Sequence, residues 1–356
     1  MIIMFVSGSL IGGGAERVLT QLANTFSQKG HQVSIVQFIG GDSYPLEESI
    51  RVVNYEKSDS SMRRSGFRKI SFLRRTIKQV QPDVVISFMT TANVLTLIAS
   101  IGLKSKAIVS ERNDPHRVPQ KKSMRVLRKL VYPLSDGFVF QTTDARDFFS
   151  QRIRNKSVVI KNPLSSGLPE KYTGEREKKI VMAGRLVDAK NYPLAIRSFS
   201  IVHKRFPDYS LEIYGEGNKY GELVRIVNEE GLADCVHFNG FVSDWHERAR
   251  KASIFLLSSD YEGMSNSLIE AMAMGIPCVS TDHPIGGAKE LISHGDNGLL
   301  VPVGDKLKMA DAICSLLSNE SLLNHISESA VRIREEIQSD TIANQWLKLC
   351  GDLAGS

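Results

Sequence analysis

Short apolar runs alternate with longer amphipathic segments along the chain, and this alternation sets the expected fold. Apolar, β-branched runs in the first half predict strands at 2–7, 32–38, 83–88, 107–110, 137–142 and 158–160. Apolar residues at helical spacing predict helices between several of them, at 15–28, 67–80, 92–101 and 124–130. Strands that alternate with helices are typical of parallel sheets covered on both faces.

The pattern is interrupted at 161–169, where KNPLSSGLP has the composition of a linker. It then restarts, with strands predicted at 179–183, 210–214, 236–239, 254–258 and 277–281 and helices at 194–205, 221–230, 244–249 and 265–274. We therefore predict an α/β protein with two doubly wound, Rossmann-like domains that face each other across a cleft. The expected boundaries are 1–164 and 165–335, and a last amphipathic helix within 336–356 packs back on the first domain.

Composition narrows the class of protein. The 356 residues are 42% hydrophobic, which is enough for two cores, and the 7% of aromatic residues does not suggest stacking on nucleic-acid bases. Four scattered cysteines without a CxxC pair indicate neither a disulfide framework nor a zinc site, and favour a reducing cytosol. The apolar start MIIMFV lacks a basic leader and predicts a buried strand, and no apolar run reaches transmembrane length.

A glycine-rich turn, SGSLIGGGAERV, follows the first predicted strand. Adjacent glycines let backbone amides approach a ligand closely, and the N-terminus of the following helix favours an anion. The turn has neither the GxGxxG spacing of a nicotinamide dehydrogenase nor the Gly-Lys-Ser/Thr of a P-loop. We favour a ligand-facing role for Gly13 and Gly14 over a merely flexible turn.

Two cations, Arg185 and Lys190, follow the first strand of the second half. At the carboxyl end of a strand they suit a diphosphate, which Arg can bind with two hydrogen bonds and Lys as a point charge. A solvated loop is the alternative, and two isolated charges would favour it.

The segment DYEGMSNSLIEAMAMGIPCVSTD, residues 260–282, carries two acids before and within a predicted helix. Ser267 and Glu270 fit a capping box, so Glu270 could have only a structural role. Glu262 has no such role, since it stands beside Gly263 just after a predicted strand. Backbone amides at the helix start suit a polar ligand, and both carboxylates can accept hydrogen bonds from sugar hydroxyls.

The spacing of Glu262 and Glu270 resembles the E-x7-E signature of retaining GT-B glycosyltransferases of family 4. Further motifs fall in the order of that family: GGGAER at 12–17, GRL with KN at 184–191, GEG at 215–217 and FNGFV at 238–242. SERNDP at 110–115 is similar to the branch that contains bacterial capsule, exopolysaccharide and lipopolysaccharide assembly enzymes. The resemblance spans nearly the whole chain.

The resemblance implies roles for these residues in binding a nucleotide sugar. Arg185 and Lys190 would hold the donor diphosphate, and Glu270 would bind the ribose hydroxyls. Glu262 would lie against the transferred sugar, together with the amides of Gly263, Met264, Ser265 and Asn266. The nucleoside pocket would be lined by Gly215, Gly217, Gly240 and Phe241. Gly13 and Gly14 would reach toward the donor phosphate and the acceptor from the opposite domain.

One position departs from the family. Many relatives carry a histidine at the end of the fourth-strand region of the first domain, where this chain has Glu111, Arg112 and Asn113. We include Glu111 in the expected catalytic set, while Arg112 and Asn113 also remain candidates, and a salt-bridged strand end explains Glu111 and Arg112 equally well. No D-x-D triplet occurs, so neither a metal ion nor a cofactor beyond the nucleotide sugar is expected.

The sequence is therefore interpreted as a retaining enzyme that transfers a hexose from a nucleotide sugar, expected to be a UDP-sugar. The acceptor would be a growing bacterial surface glycan on a lipid diphosphate, and nucleic acid is not an expected partner. The alternatives are a non-hydrolysing UDP-sugar 2-epimerase of the same architecture and a catalytically silent subunit that binds a sugar nucleotide.

Two basic runs in the first half suggest a place for this activity. They comprise Lys57, Arg63, Arg64, Arg68, Lys69, Arg74, Arg75 and Lys78, and then Lys121, Lys122, Arg125, Arg128 and Lys129. Apolar residues interleave with the first run, as in an amphipathic surface helix: Phe67, Ile70, Phe72, Leu73 and Ile77. Solvated helix faces are the alternative. We expect a cytoplasmic protein that binds the anionic inner face of the inner membrane through residues 63–78.

Overall fold

The computed structural model of the protein describes residues 1–41, 44–55 and 66–355. It forms two compact units. The first contains Met1–Pro163 and Ile337–Ser356, and the second contains Leu164–Glu336. The chain therefore returns to the first unit with its last helix, α14 (Ser339–Ala354).

The first unit is built on a parallel sheet with the strand order β3-β2-β1-β4-β5-β6-β7. The strands are β1 (Ile2–Ser7), β2 (Gln32–Gln37), β3 (Arg51–Asn54), β4 (Val84–Phe88), β5 (Lys106–Ser110), β6 (Gly137–Phe140) and β7 (Ser157–Val159). The helices before the linker are α1 (Gly14–Gln28), α2 (Gly66–Val80), α3 (Thr90–Ser100), α4 (Lys122–Val131), α5 (Thr143–Asp147) and α6 (Gln151–Arg154).

The second unit repeats this plan with the strand order β10-β9-β8-β11-β12-β13, again all parallel. Its strands are β8 (Glu177–Ala183), β9 (Ser210–Tyr214), β10 (Val236–Phe238), β11 (Ala252–Leu257), β12 (Cys278–Thr281) and β13 (Leu299–Val301). Its helices are α7 (Tyr192–His203), α8 (Tyr220–Glu229), α9 (Trp245–Ala249), α10 (Asn266–Ala273), α11 (Lys306–Ser318), α12 (Glu320–Ala330) and α13 (Ile333–Glu336).

The two parallel sheets confirm the expected fold class. Every residue of β4 and of β11 is buried, which is why these strands appear in the sequence as continuous apolar runs. The sequence did not reveal β3 and β13, because each is an edge strand of four or three residues and is too short to show a period.

Each sheet has a point at which the chain reverses its direction of winding. In the second unit, β8 lies between β9 and β11, so the loops that leave β8 and β11 emerge side by side at the carboxyl edge. Open α/β sheets bind ligands at this position. The fold therefore brings together the segment after Ala183 and the segment after Leu257.

A buried polar network surrounds Glu111, just beyond β5. The carboxylate of Glu111 is 3% exposed and accepts hydrogen bonds from Thr90 Oγ1 at 3.0 Å and from the hydroxyl of Tyr132. Asn93 Nδ2 extends the network by donating to the Tyr132 oxygen at 3.1 Å. Burial raises the pKa of Glu111 above its ordinary value of 4.5, although Tyr132, the charge of Arg128 and Thr90 oppose the shift.

Arg112 points to different partners, so the interpretation of Glu111 and Arg112 as a salt bridge is wrong. The guanidinium of Arg112 donates to Asn162 Oδ1 at 2.6 Å and lies over the ring of Phe88, 4.6 Å from its centroid. Burial lowers its pKa to about 9.

Among the helices of residues 1–41, 44–55 and 66–355, none combines the length and the apolar character of a membrane span.

The raised pKa of Glu111 predicts how stability depends on pH. Below about pH 4.5 the residue is protonated in both the folded and the unfolded chain. Above it, the unfolded chain ionises while the folded chain keeps its proton until the higher folded-state pKa is reached, so stability falls across this interval. Glu111→Gln removes this loss, and its melting temperature should gain on that of the wild type as the pH rises from about 4.5 to 7.

Melting curves followed by circular dichroism across this pH range would test the effect. Glu229→Gln is a suitable control, because the side chain of Glu229 is 58% exposed on α8. Parallel melting curves for the wild type and Glu111→Gln at every pH would contradict the raised pKa.

Candidate active site

Lys190 and Glu262 form an ion pair at the carboxyl edge of the second sheet. The ammonium nitrogen of Lys190 lies 2.6 Å from Oε1 and 2.8 Å from Oε2 of Glu262. The Ser259 hydroxyl donates to Oε2 at 3.0 Å. The side chains of Lys190 and Glu262 are 16% and 21% exposed. Two residues that are 72 positions apart in sequence are thus held in direct contact in a mostly dry environment.

The electrostatics of the pair favour the ionised carboxylate. Burial alone would raise the pKa of Glu262, but the charge of Lys190, followed by that of His283, outweighs it and the pKa lies below its ordinary value. His283 is 1% exposed, and its Nδ1 lies 3.2 Å from the Pro284 carbonyl oxygen. Because a carbonyl can only accept, Nδ1 carries a proton.

Neighbouring loops fix the backbone around Lys190. Asn191 adopts a left-handed conformation with φ 42°, and its side chain caps α7 by accepting from the Leu194 amide. Its amide nitrogen also donates to Asp260 Oδ1 at 2.6 Å, while the Ser258 hydroxyl donates to the Lys190 carbonyl at 2.8 Å. The loops after β8 and β11 are therefore fastened to each other on both sides of the ion pair.

Glu270 is buried in the second turn of α10 and is only 1% exposed. The capping-box interpretation is wrong, because the helix begins at Asn266 and Ser267 is its second residue, not its cap. The carboxylate instead accepts a hydrogen bond from Ser165 Oγ at 2.8 Å and lies 2.9 Å from His246 Nε2. Sequence reasoning missed Ser165 and His246, since neither stands in a motif.

The candidate glycines Gly215 and Gly217 are required by backbone packing. A Cβ on Gly215 would lie 1.9 Å from the carbonyl oxygen of Gly184, and one on Gly217 would lie 2.2 Å from that of Leu186. The loops after β8 and β9 therefore approach more closely than any other residue type would allow. These two glycines support the loop that carries Arg185, whose own side chain is exposed.

Gly240 and Phe241 continue this stack of loops. The Gly240 carbonyl accepts from the Gly215 amide at 2.7 Å, and Gly240 has φ 67°. Phe241 is 75% exposed at the edge of the same loop. An exposed aromatic ring beside open backbone is available to a planar ligand such as a base.

The segment before α10 is held close to another loop. A Cβ on Gly287 would lie 1.8 Å from the Gly263 carbonyl oxygen, so the two backbones are in contact. Met264 and Ser265 are buried, and Asn266 is the first residue of α10. The backbone amides at this helix start lie between Glu262 and Glu270 in the chain, where the helix dipole favours a polar or anionic group.

The remaining expected residues, Gly13, Gly14 and Glu111, belong to the first unit. Gly14 begins α1, and the carboxylate of Glu16 lies against Gly13, where a Cβ would be 1.9 Å from its oxygen. Glu111 lies in the buried network described above and faces Thr90 and Tyr132. Across the described ranges, no three His, Cys, Asp or Glu side chains are arranged to hold a metal ion.

Comparison with protein families divides the chain as the structure does. Residues 12–166 match the family described as Glycosyltransferase Family 4, and residues 169–332 match Glycosyl transferases group 1. A Campylobacter jejuni protein, GalNAc-alpha-(1->4)-GalNAc-alpha-(1->3)-diNAcBac-PP-undecaprenol alpha-1,4-N-acetyl-D-galactosaminyltransferase, is 30% identical over 99% of both chains. A second protein of that organism, N-acetylgalactosamine-N,N'-diacetylbacillosaminyl-diphospho-undecaprenol 4-alpha-N-acetylgalactosaminyltransferase, is 27% identical over 96% of both.

Solved structures agree on the fold. Anabaena HepE in complex with UDP has a TM-score of 0.82 at 18% identity, covering 99% of this chain and 100% of that one. Sucrose-phosphate synthase from Thermosynechococcus elongatus has a TM-score of 0.84 at 15% identity, covering 100% of both. With the match of both family models and of the full-length Campylobacter relative, these similarities show that the chain is a glycosyltransferase and belongs to family 4, with the GT-B fold.

Proposed function

We propose that this glycosyltransferase moves a hexose from a UDP-sugar, with retention of configuration, to a bacterial surface glycan carried on a lipid diphosphate. The observation that carries the proposal is the Lys190–Glu262 ion pair at the switch point of the second sheet, with Glu270 buried eight positions later. The donor class is supported by HepE, which was solved with UDP. The acceptor class is supported by the Campylobacter relatives, whose names specify undecaprenol diphosphate glycans.

The donor diphosphate would change the partner of Lys190. In the present structure, its ammonium contacts both oxygens of Glu262. A diphosphate held by Lys190 and the exposed Arg185 would draw the ammonium away and leave the carboxylate free to accept a hydroxyl of the transferred sugar. The ion pair would thus store Glu262 in its ionised form until the donor arrives.

Glu270 would bind the ribose with a carboxylate that is already oriented. Ser165 and His246 each contact one of its oxygens, at 2.8 and 2.9 Å. A carboxylate oxygen can accept more than one hydrogen bond, so ribose hydroxyls can be bound without losing these contacts. His246 and Ser165 are therefore positioning residues for the nucleoside.

Departure of the nucleotide would require stabilisation of a diphosphate charge. We assign this role to Arg185, Lys190 and the N-terminal amides of α10, without a metal ion.

The protein would work at the cytoplasmic face of the inner membrane, in capsule or lipopolysaccharide assembly. Of the basic residues at 63–78, Arg68, Arg75 and Lys78 are exposed on α2, whereas Arg63 and Arg64, and Lys57 before them, lie outside the described residues.

A donor screen tests the proposed reaction. Purified protein is incubated with UDP- and GDP-sugars, with and without lipid-linked glycan, and nucleotide release and product are measured. We expect UDP release that increases with the acceptor and a product one hexose longer. A new UDP-sugar formed without any acceptor would identify an epimerase, and binding without turnover of any donor would identify a silent subunit.

The two cations should respond differently to substitution. Arg185→Ala and Lys190→Ala should each weaken UDP binding, by roughly 1.5–3 kcal/mol for one lost charge-assisted contact. Lys190→Ala also leaves Glu262 without its cation, so it should lower the melting temperature by about 5 °C or more. Arg185→Ala should leave stability unchanged, because the side chain is exposed.

Isothermal calorimetry with UDP and thermal melting separate these effects. A chelator should not reduce the activity of the wild type if the cations alone hold the diphosphate. Unchanged UDP affinity in both variants, or strict dependence on a divalent metal, would contradict the assignment.

The two acids should separate nucleoside binding from sugar transfer. Glu270→Gln should weaken the binding of both uridine and UDP by about tenfold, since a charged acceptor for the ribose is lost. Glu262→Gln frees Lys190 for the diphosphate, so UDP should bind at least as tightly as to the wild type while transfer falls steeply. Calorimetry with uridine and UDP decides between these roles. If Glu270→Gln binds uridine as tightly as the wild type does, Glu270 does not bind the ribose and has only a structural role.

A further inference from the structure

Helix α4 of the first unit exposes a pair of large apolar side chains. Val126 and Leu130 are 60% and 68% exposed, and their spacing of four places them next to each other on the helix surface. Leu134, in the 3-10 helix Tyr132–Leu134 that follows, is 53% exposed. Neighbouring exposed apolar residues of this size are typical of a surface that contacts a partner.

Basic side chains border this apolar pair. Lys122 and Lys129 are both exposed, one helical turn before Val126 and one residue before Leu130. The segment 115–135 contains six Lys and Arg residues and no Asp or Glu. An exposed face with this composition suits a partner that is both apolar and anionic.

The two arginines of α4 donate hydrogen bonds to the loop that precedes the helix. Arg125 Nε donates to the Pro119 carbonyl at 2.7 Å, and Arg128 Nη1 donates to the Val118 carbonyl at 2.9 Å. Both arginines thus fasten the loop before α4 to the helix. Of the basic run predicted from the sequence, Arg128 is therefore buried, whereas Arg125 and the three lysines are exposed.

Helix α2 does not provide the apolar face that its sequence predicted. Leu73 and Ile77 are buried, and Ile70 and Phe72 pack against the same core, so only Phe67 remains exposed, at 79%. The insertion of the other four residues into a membrane is therefore excluded by their packing. Among the described residues of the two helices, the neighbouring exposed apolar side chains, Val126 and Leu130, therefore lie on α4.

The two helices nevertheless lie on one face of the sheet. The connections β3–α2–β4, β4–α3–β5 and β5–α4–β6 all cross in the same direction, and right-handed crossovers place their helices on the same side. Both α2 and α4 pack against α3 between them. The exposed cations of α2, Arg68, Arg75 and Lys78, thus extend the basic surface of α4.

We propose that α4 docks the protein on an anionic lipid bilayer, with Val126 and Leu130 in the headgroup region and Lys122 and Lys129 against anionic headgroups. Charge complementarity selects this occupant. A second copy of the chain would place the same positive surface against this face, which disfavours self-association. The role of the surface in delivering the enzyme to a lipid-linked acceptor rests on the proposed function, whereas lipid binding itself does not.

Vesicle co-sedimentation tests the proposal. The full chain is mixed with phosphatidylglycerol–phosphatidylcholine vesicles at low salt, and the bound fraction is compared with that for pure phosphatidylcholine. The double variant Val126→Ser/Leu130→Ser should reduce the partition coefficient at least about tenfold. Lys122→Glu/Lys129→Glu should reduce it to a similar extent at low salt, and salt should weaken the wild type.

Leu307→Ser is the matched control, because Leu307 is 60% exposed on α11 of the second unit. It should bind vesicles as the wild type does. UDP binding and melting temperature should be unchanged in all these variants, so a failure of the proposed donor would not alter the vesicle result.

Three results would overturn the docking proposal. One is a wild type that ignores anionic vesicles at low salt, and another is equal binding by Val126→Ser/Leu130→Ser and Leu307→Ser. The third is a wild-type dimer in light scattering that Val126→Ser/Leu130→Ser converts to a monomer, which would assign the face to self-association.

Discussion

A carboxylate that is largely shielded from water stays ionised only if a nearby charge and hydrogen bonds replace the solvent, and the arrangement of the candidate site follows from how Glu262, with a side chain 21% exposed, meets this requirement. Removal of a charge from water costs several kcal/mol unless a close opposite charge and hydrogen bonds replace the solvent. Lys190 supplies the charge at 2.6 Å and Ser259 a further hydrogen bond. Because these groups come from the loops after two different strands, the pair can form only if both loops are held in register.

The glycines provide that register. Gly215 and Gly217 lie so close to the backbone of residues 184–186 that no side chain fits between them, and the Gly240 carbonyl accepts from the Gly215 amide. Three successive loops at the carboxyl edge are thus stacked backbone to backbone. Because Gly215 and Gly217 have no side chains, they can pack directly against the loop that presents Lys190 and hold it in place. The same lack of side chains lets a ligand approach the backbone closely.

The sequence was informative wherever one segment contained the whole signal. Fully buried parallel strands such as β4 gave continuous apolar runs, and Glu262 and Glu270 stood out by their spacing within one segment. The partners of Glu270 could not be predicted, because Ser165 and His246 reach it from 105 and 24 positions away and belong to no motif. The position of the apolar face of α2 could not be predicted either, because periodicity identifies an apolar face but not what covers it. In the structure this face packs against the core.

Comparison of Glu262, which is partly shielded from water, with the buried Glu111 shows that shielding alone does not set the pKa of a carboxylate. Glu262 faces the Lys190 ammonium group and has a lowered pKa, so its carboxylate stays ionised and can accept hydrogen bonds. Glu111 accepts hydrogen bonds from the hydroxyls of Thr90 and Tyr132. Burial raises its pKa, so it retains its proton to a higher pH than an exposed glutamate does. The sequence presented both as acids just beyond a strand. The partners that the fold brings to each acid set the direction of its pKa: the adjacent Lys190 ammonium lowers that of Glu262, whereas the hydroxyls and the charge of Arg128 do not offset burial at Glu111.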